Sequence, residues 1–571
     1  MDYQLQSVKD LSIEKGKKGV QHIIFGRVGI LIVCLVIQLL LLFVGMTYLA
    51  QYIYWFFGGY LAFGFLILLI IVNRTMNPGI QLSWAVIVLL FPIFGGLLYL
   101  YVEIQPGTHM LKASLADMDD RTAGMLLQDQ DVIENLASKS ENTAQLASYI
   151  YREESFPIYR NTGVKYFPSG EAKFAELLNQ LRLAEHFIFM EYFIVHPGYM
   201  WDAVFELLKA KVKEGVEVRF LYDGMNELSN VPGKFQDMLR GEGIQCKVFS
   251  PVYPIISTHY NNRDHRKIVV IDGHTAFTGG VNIADEYINR KERFGHWKDA
   301  AVMVQGDAVS SFTLMFLKMW DVAGKTEDMK PYLTPMKAAS HTMAEDQDTI
   351  QHEDREMSPQ EEHETAADDK MSQADDMRNF GGQTAIMENQ GFVMPFGTNP
   401  FHSEHIAKRV YLDILNHAKR YVYIMTPYLV PDYELLQALT YAARRRVDVK
   451  IIMPHIPDKK YAFALAHSYY RYLLQAGVRI YEYSPGFVHS KIFVSDDRQA
   501  VVGAINLDYR SLYLNFESAV YLYDVPAVYD VKADVLQTLT RCQLMTDYDI
   551  RHDKITRKMV GAVLKLIAPL L

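Results

Sequence analysis

Cysteine is scarce in this chain, and its scarcity excludes several classes of protein. The 571 residues contain three cysteines, Cys34, Cys246 and Cys542, which lie far apart and form no CxxC pair for zinc binding or redox chemistry. A small disulfide-stapled scaffold is excluded by this count together with the length. The sequence also lacks carboxylates and histidines at metal-ligand spacing. We therefore expect neither a metal nor any other cofactor.

Charge is missing from one long stretch near the N-terminus. No charged residue lies between Arg27 and Arg74, and another apolar run begins at Trp84. Because one bilayer crossing takes about 20 apolar residues, residues 28–103 are predicted to be a transmembrane region of two or three helices. The basic segment 1–27 favours a cytoplasmic start. Two spans and three spans would leave the rest of the chain on opposite sides of the membrane, and the sequence does not decide between them.

Acidic residues outnumber basic ones, and the excess lies in one segment. The whole chain has 57 Lys and Arg against 66 Asp and Glu, a net charge of -9 that argues against an anionic partner. Residues 345–376 alone hold 13 acidic residues and only two basic ones, Arg355 and Lys370. Their composition is typical of a disordered acidic linker. The remaining chain has 55 basic and 53 acidic residues, so the net charge outside this segment does not argue against an anionic partner.

Apolar runs alternate with helical patterns over the rest of the chain, which predicts an α/β fold of mixed sheets covered by helices. The predicted strands include residues 216–223, 267–272, 420–426 and 447–453. The predicted helices include residues 200–215 and 434–446. We divide the chain into a basic N-terminal segment (1–27), a transmembrane region (28–103), a connector (104–154), a first lobe (155–335), an acidic disordered insert (336–384), a second lobe (385–552) and a C-terminal helix (553–571).

The C-terminal segment has its own pattern. Apolar residues stand four apart at Ile555, Met559, Val563 and Ile567, with basic residues between them. This spacing predicts a basic amphipathic helix. Such a helix either lies on a membrane surface or packs against its own domain, and the sequence favours neither arrangement.

An 18-residue pattern occurs twice. The first copy, HRKIVVIDGHTAFTGGVN, runs from His265 to Asn282, and the second, HSKIFVSDDRQAVVGAIN, runs from His489 to Asn506. Both fit H-x-K-x4-D-x6-G-[GA]-x-N. Identical spacing on both sides of the acidic insert indicates that the two copies contribute two histidines to one site.

The residue types in this pattern suit chemistry at a phosphorus atom. The His and Lys of each copy lie on one face of a strand. One histidine can attack as a nucleophile and form a covalent phosphohistidine. The other can protonate the leaving alkoxide and then deprotonate the incoming hydroxyl. We assign these roles to His265 and His489 in that order, although the sequence leaves the exchange of roles open.

Further candidate residues surround the two histidines. Two lysines and two asparagines are expected to stabilise charge on the phosphate oxygens: Lys267, Lys491, Asn282 and Asn506. The motif aspartates Asp272 and Asp496 are counted with the catalytic set as part of the signature, with a structural role expected for both. A reactive imidazole needs an acceptor on its second nitrogen. We predict Glu517 for His489 and Asp299 for His265.

The doubled motif resembles the phospholipase D superfamily, in which two HKD motifs build one active site between two α/β lobes. Several segments are similar to bacterial cardiolipin synthases: NPGIQLSWAVIVLLFPIFGGLLYLYV, FPSGEAKFAELLNQLRLAEHFIFMEYFI, GGVNIADEY, YIMTPYLVPD and the terminal APLL. The resemblance covers about residues 55–335 and 385–571. The chain departs from the family in its acidic insert, in an additional predicted span, and in Gly503-Ala504, where Gly-Ser or Gly-Gly is usual.

The resemblance implies a phosphatidyl transfer in a bacterial cell membrane, with the chain as a multi-pass protein. One phosphatidylglycerol would give its phosphatidyl group to a histidine and release glycerol, and a second phosphatidylglycerol would attack to give cardiolipin. The alternatives are a phospholipase D-type hydrolase or a transphosphatidylase that uses other alcohols, and a non-enzymatic membrane scaffold. A superfamily nuclease is disfavoured by the membrane segment, so we expect no nucleic-acid partner.

Overall fold

The computed structural model describes residues 36–41, 43–44, 47, 53–251, 261–324, 328–333 and 391–570. The predicted basic segment 1–27 and the acidic insert 336–384 lie outside these residues. Most of the first predicted span, before residue 53, lies outside them as well.

Three helices joined by short loops follow one another between residues 53 and 103. They are α1 (Ile53–Val72), α2 (Pro78–Leu90) and α3 (Pro92–Glu103). Trp84 of α2 and Tyr99 of α3 pack edge to face, with ring centroids 5.4 Å apart, in a small apolar cluster between the helices. Asn77 caps α2, because its side chain accepts a hydrogen bond from the backbone N–H of Gly79.

The structure corrects the prediction of membrane spans. The apolar run that begins at Trp84 contains Pro92, which lacks a backbone N–H and starts a new helix, so the run forms two helices of 13 and 12 residues. Across the described ranges, no helix combines the length and the apolar composition that crossing a membrane requires. The transmembrane region predicted at residues 28–103 is therefore unsupported, and the predicted multi-pass localisation in a cell membrane is wrong.

Three polar helices connect this region to the first sheet. They are α4 (Pro106–Thr122), α5 (Gln130–Lys139) and α6 (Glu141–Glu154). The side chains of Asp129 and Ser140 accept hydrogen bonds from backbone N–H groups and so cap α5 and α6. His402 then joins the connector to the second lobe, because its two ring nitrogens contact Glu154 of α6 at 2.6 Å and Asp119 of α4 at 2.9 Å.

The first lobe contains a seven-stranded mixed sheet in the order β1-β8-β6-β5-β2-β3-β4. Strands β2, β3 and β4 are parallel, and the other neighbours are antiparallel. The strands are β1 (Thr162–Phe167), β2 (Phe187–Tyr192), β3 (Glu217–Asp223), β4 (Gln245–Phe249), β5 (Lys267–Ile271), β6 (Thr275–Gly279) and β8 (Ala301–Gly306). The helices are α7 (Gly170–Arg182), α8 (Tyr199–Lys213), α9 (Asn226–Ser229), α10 (Phe235–Gly241), a 3-10 helix (Asp285–Ile288), α11 (Val309–Val322) and α12 (Lys330–Leu333).

The second lobe repeats this plan in an eight-stranded sheet of order β17-β12-β11-β10-β14-β15-β16-β9. Its strands are β9 (Phe392–Thr398), β10 (Tyr421–Met425), β11 (Asp448–Pro454), β12 (Arg479–Tyr483), β14 (Ile492–Ser495), β15 (Gln499–Gly503), β16 (Glu517–Tyr523) and β17 (Cys542–Leu544). Its helices are α13 (Ile406–His417), α14 (Tyr433–Arg444), α15 (Lys460–Gln475), a π-helix (Arg510–Leu514), α16 (Ala527–Leu539), α17 (Asp547–Arg551), α18 (Ile555–Ile567) and a 3-10 helix (Ala568–Leu570).

The α/β fold with two similar lobes is confirmed. The motif strands β5 and β14 lie at equivalent positions, each antiparallel to the first strand of a parallel set, β2 or β10. Every residue of these two motif strands is buried. Strands covered on both faces read as continuous apolar runs, which explains why the sequence pattern located them.

Three short backbone pairings hold the lobes together, one of them between Tyr159 and Val393. Strand β7 (His296–Lys298) of the first lobe pairs in parallel with β13 (Gly486–Val488) of the second. On the other side of the interface, Asp264 forms a bridge with Phe516. One apolar core cluster contains residues of both sheets, including Val270 and Val520. Because these pairings join segments far apart in sequence, they fix the geometry of everything at the interface.

Candidate active site

Each motif histidine sits on one lobe and is held by the other. The backbone N–H of His265 donates to the carbonyl of Phe516 at 2.9 Å, and the N–H of His489 donates to the carbonyl of Lys298 at 2.7 Å. Both histidines are 8% exposed. The interface pairings therefore bring the two copies of the motif to one buried site.

Two carboxylates complete crossed pairs with the histidines. Nδ1 of His265 contacts Oε2 of Glu517 at 2.8 Å, and Nδ1 of His489 contacts Oδ2 of Asp299 at 2.7 Å. The two carboxylates were found from the sequence, but the predicted pairing within each lobe is wrong. Each histidine uses the carboxylate of the opposite lobe, because the interface turns the start of β16 towards His265 and the end of β7 towards His489.

The two carboxylates differ in charge. Complete burial raises the pKa of Glu517 well above its ordinary value, so this side chain favours the neutral form. Burial opposes ionisation of Asp299 too, but its contact with His489, the charge of Lys491 and the N–H of Ala300 hold the pKa of Asp299 below its ordinary value. The site thus pairs one histidine with a carboxyl group that is shifted towards its neutral form and the other with one that is shifted towards its anion.

Both imidazoles are neutral at physiological pH. Burial and the positive charge of Lys491 lower the pKa of His489 to about 4, although Asp299 acts in the opposite direction. Burial, Lys267, Lys491 and His489 lower the pKa of His265 well below its ordinary value. With Nδ1 engaged by a carboxylate, the other nitrogen, Nε2, is the one available for chemistry.

The motif lysines lie beside their histidines. The Nζ atoms of Lys267 and Lys491 donate to the backbone carbonyls of His265 and His489, respectively. Burial lowers the pKa of Lys267 to about 7 and that of Lys491 to about 8. A poorly hydrated site strengthens the attraction between these lysines and an anion, and a bound anion would in turn favour their charged forms.

The two motif asparagines are not equivalent. The side-chain oxygen of Asn282 accepts from the N–H of Ile194 at 2.9 Å, and its amide donates to the hydroxyl of Tyr287 at 2.8 Å. Asn506 is also buried, but its side-chain oxygen has no hydrogen-bond partner within the part of the chain that the structure describes. The first asparagine is therefore already engaged, whereas the second retains bonding capacity.

The motif aspartates lie at the far end of the motif strands. Both oxygens of Asp272 accept backbone N–H groups just before β2, from Glu185, His186 and Phe187. Asp496 makes the equivalent contacts just before β10. The structure therefore brings the histidines and lysines together, whereas each aspartate lies at the other end of its motif strand and binds the backbone at the start of the neighbouring strand, β2 or β10.

Aromatic residues around the histidines escaped the sequence analysis. The ring of His489 lies 5.2 Å from Trp297 and 5.4 Å from Tyr287 between centroids, and the ring of His265 lies 4.8 Å from Phe193. These rings hold the imidazoles in place and exclude water from them. The only sequence signal is position: Trp297 stands two residues before Asp299, and Tyr287 follows the first motif.

Gly280 is required by the approach of Asp299. A Cβ atom at Gly280 would lie 2.0 Å from Oδ1 of Asp299, whereas the second motif carries Ala504 at the equivalent position.

We expect Gly280→Ala to displace Asp299 and to lower the kcat of the reaction at this site by at least about 100-fold, as loss of a proton-transfer partner does. Ala504→Gly is the matched control and should keep kcat within about threefold. Steady-state kinetics and thermal melting of both variants test this. Equal kcat values for the two variants would contradict it.

The fold and the shared two-motif site define the class of protein: a two-lobed phospholipase D-like α/β protein. Phosphatidylserine synthase from Haemophilus influenzae has the same fold, with a TM-score of 0.51 at 14% identity over 75% of this chain and 98% of its own.

Sequence comparisons narrow the class to a family. The family described as cardiolipin synthase, PLD-like domain, matches residues 177–320 and 411–539. Cardiolipin synthases of Halalkalibacterium halodurans and Alkalihalophilus pseudofirmus are each 30% identical over 88% of this chain and 91% of their own length. An uncharacterized protein of Streptococcus mutans is 45% identical over 88% of this chain and 99% of its own. The chain belongs to the cardiolipin synthase family and is a phosphatidyltransferase.

Proposed function

We propose that the chain is a cardiolipin synthase that transfers the phosphatidyl group of one phosphatidylglycerol to a hydroxyl of another and releases glycerol. The crossed pair of His-Lys motifs at the lobe interface carries this proposal. Two neutral imidazoles and two lysines in one buried site fit a phosphodiester anion that must be attacked on one side and protonated on the other. The named relatives supply the choice of lipid.

The first half-reaction forms a covalent phosphohistidine. Nε2 of His265 attacks the phosphorus of phosphatidylglycerol, and the bond from phosphorus to the glycerol oxygen breaks. His489 takes up a proton when the anionic phosphate binds beside it and donates that proton to the glycerol oxygen, so that glycerol leaves as a neutral alcohol. Lys267, Lys491 and the side-chain N–H of Asn506 stabilise the charge on the phosphate oxygens.

The second half-reaction reverses these steps with a new alcohol. Neutral His489 takes the proton from a hydroxyl of the second phosphatidylglycerol, whose oxygen attacks the phosphorus. The bond from phosphorus to His265 breaks, and cardiolipin leaves. Because the nucleophile and the acid are restored, the enzyme requires no net proton input.

The charges of the carboxylates support this division of roles. Asp299 is held in its anionic form, so it stabilises the imidazolium that His489 must become when it carries a proton. Glu517 favours the neutral form and leaves His265 uncharged, as a nucleophile requires. A bound phosphate anion adds negative charge beside His489 and so raises its pKa from the low value of the free site.

A lipid assay tests the proposed function. The purified chain is incubated with phosphatidylglycerol and excess detergent, with the phosphate and the glycerol headgroup labelled separately. We expect one glycerol released for each cardiolipin formed. Phosphatidic acid in place of cardiolipin would assign hydrolysis instead, and formation of phosphatidylethanol in preference to cardiolipin when ethanol is added would assign a general transphosphatidylase. Unchanged lipid would exclude the proposal.

A further inference from the structure

The last long helix of the chain, α18, packs against its own domain through only one of its faces. Gly561 approaches α15 closely, since a Cβ atom there would lie 2.4 Å from the carbonyl oxygen of Ala464. On the same side, the guanidinium of Arg557 lies 5.1 Å from the ring of Phe463. The helix is therefore fixed in rotation about its own axis.

The apolar stripe of α18 faces away from this contact. The five large apolar side chains of the stripe are 45–73% exposed. They are Ile555, Met559, Val560, Val563 and Leu566. The sequence left two arrangements open. Of the predicted stripe, Ile555, Met559 and Val563 are exposed and Ile567 is half-buried, so packing on the domain uses mainly the opposite face. Folded proteins seldom leave a continuous row of large apolar side chains in water unless another surface covers it.

Basic charge accompanies the stripe. The side chains of Lys554 and Lys558 at the start of this helix are exposed, whereas the ammonium of Lys565 lies 4.4 Å from the ring of Tyr469 on the packed side, and residues 554–571 contain no Asp or Glu. The nearest acidic residue before the helix, Asp553, is already bound by Arg557 at 3.1 Å and by His467 at 3.1 Å. The exposed face therefore combines apolar side chains with unopposed positive charge.

We propose that this face of α18 lies flat on the surface of an anionic lipid bilayer and delivers the active site to its lipid substrate. The 13 residues of α18 span about 20 Å, which suits a helix in the plane of the interface. An apolar stripe flanked by lysines is the composition that enters the boundary between headgroups and acyl chains. The choice of an anionic surface rests on the proposed function, whose substrate is an anionic phospholipid.

The end of the chain ties α18 to the N-terminal helices. Leu570 packs against the apolar cluster of α1–α3, and a Cβ atom at Gly79 would lie 3.4 Å from Pro569. Asn77, at the start of α2, donates to the hydroxyl of Tyr513 at 2.8 Å, and Tyr513 follows the second motif by seven residues. Contact of α18 with lipid therefore takes place on the structural unit that also holds the second motif.

A local probe tests the contact without turnover. An environment-sensitive fluorophore on Val563→Cys reports the stripe. The same label on Leu183→Cys, an exposed apolar position at the end of α7, is the matched control. Labelled wild type gives the background from the native cysteines. We expect a blue shift for residue 563 with phosphatidylglycerol vesicles, at least a twofold smaller shift with phosphatidylcholine vesicles, and none for residue 183. No shift at residue 563, or the same shift at both positions, overturns the proposal. A shift at residue 563 that depends on protein concentration without lipid also overturns it, since a second copy of the chain then covers the stripe.

A charge variant tests the consequence for activity. Met559→Glu/Val563→Glu should lower phosphatidyl transfer in vesicles at least tenfold and keep transfer in detergent micelles within about twofold of wild type. Leu183→Glu/Met238→Glu, at two other exposed apolar positions, should change neither rate. An equal loss in micelles would mean that the stripe serves folding or chemistry and would overturn the proposal. A blue shift at residue 563 without any cardiolipin product would leave the lipid contact standing and exclude the proposed function, so the two failures are distinguishable.

Discussion

Replacing either His265 or His489 by Ala should lower the rate of cardiolipin formation by at least about 10⁴-fold, and replacing both should cost little more than replacing one. General acid–base catalysis alone contributes about 10²–10⁴-fold, and loss of a nucleophile removes the covalent route altogether. When two groups act as a unit in one reaction, removing either of them abolishes most of the rate enhancement that they provide together. The rate losses of the two single variants therefore do not add in the double variant. The measurement is the initial rate of each single variant and of the double variant.

The control for this prediction lies in the same hairpin. His274 is an exposed histidine in the turn between β5 and β6, away from the lobe interface. His274→Ala should therefore retain the wild-type rate within about twofold. If either His265→Ala or His489→Ala kept near-full activity, one shared site could not be the catalytic unit.

The covalent intermediate separates the two histidines. With phosphatidylglycerol labelled in the phosphate, long incubation of His489→Ala should label the protein slowly, because its nucleophile is intact although formation and release of the phosphatidyl group have both lost their proton-transfer partner. His265→Ala should hold no label. The bond should be labile to acid and stable to base, as a phosphorus–nitrogen bond is. Label on His265→Ala and none on His489→Ala would exchange the two roles.

The sequence predicted the parts of the lobes that depend on local pattern. The predicted strand at 267–272 and the strand β5 (Lys267–Ile271) coincide almost completely, as do the prediction at 420–426 and β10 (Tyr421–Met425). These strands are buried on both faces, so burial alone forces an uninterrupted apolar run. The repeat also predicted that two motifs share one site, because equal spacing implies equal local geometry.

Contacts between distant segments could not be predicted in the same way. The pairing of His265 with Glu517 depends on the bridge between Asp264 and Phe516, which joins residues 252 positions apart. No local pattern records that bridge, so a carboxylate of the same lobe was predicted for each histidine, and this prediction is wrong. The spans failed for a related reason, since hydropathy averaged over the run that begins at Trp84 hides the single helix break at Pro92.

The crossed histidine–carboxylate pairs lead to a second prediction, in which a large loss of kcat follows from replacing only one of the two carboxylates. Asp299→Asn should lower kcat by about 10³–10⁴-fold, whereas Glu517→Gln should lower it by less than about tenfold. Asp299 is anionic and stabilises a protonated His489, so an amide removes the charge and can present an N–H to Nδ1, which selects the wrong tautomer. Glu517 favours the neutral acid, and an amide of the same shape replaces a neutral acid with little change in charge.

Kinetics and stability together decide whether Asp299 acts on chemistry or on folding. Asp285→Asn is the matched control, because Asp285 is a carboxylate in the same lobe that accepts the backbone N–H groups of Tyr199 and Met200 at the start of α8 and contacts neither histidine. It should lower the melting temperature and leave kcat within about threefold. Asp299→Asn should lower kcat far more than any loss of folded protein can explain. Because Asp299 positions and charges His489, its loss should act on kcat and leave KM for phosphatidylglycerol within about threefold. Equal losses of kcat in Asp299→Asn and Glu517→Gln would mean that both carboxylates carry charge in the working enzyme, and the division of roles between the two histidines would then lose its electrostatic basis.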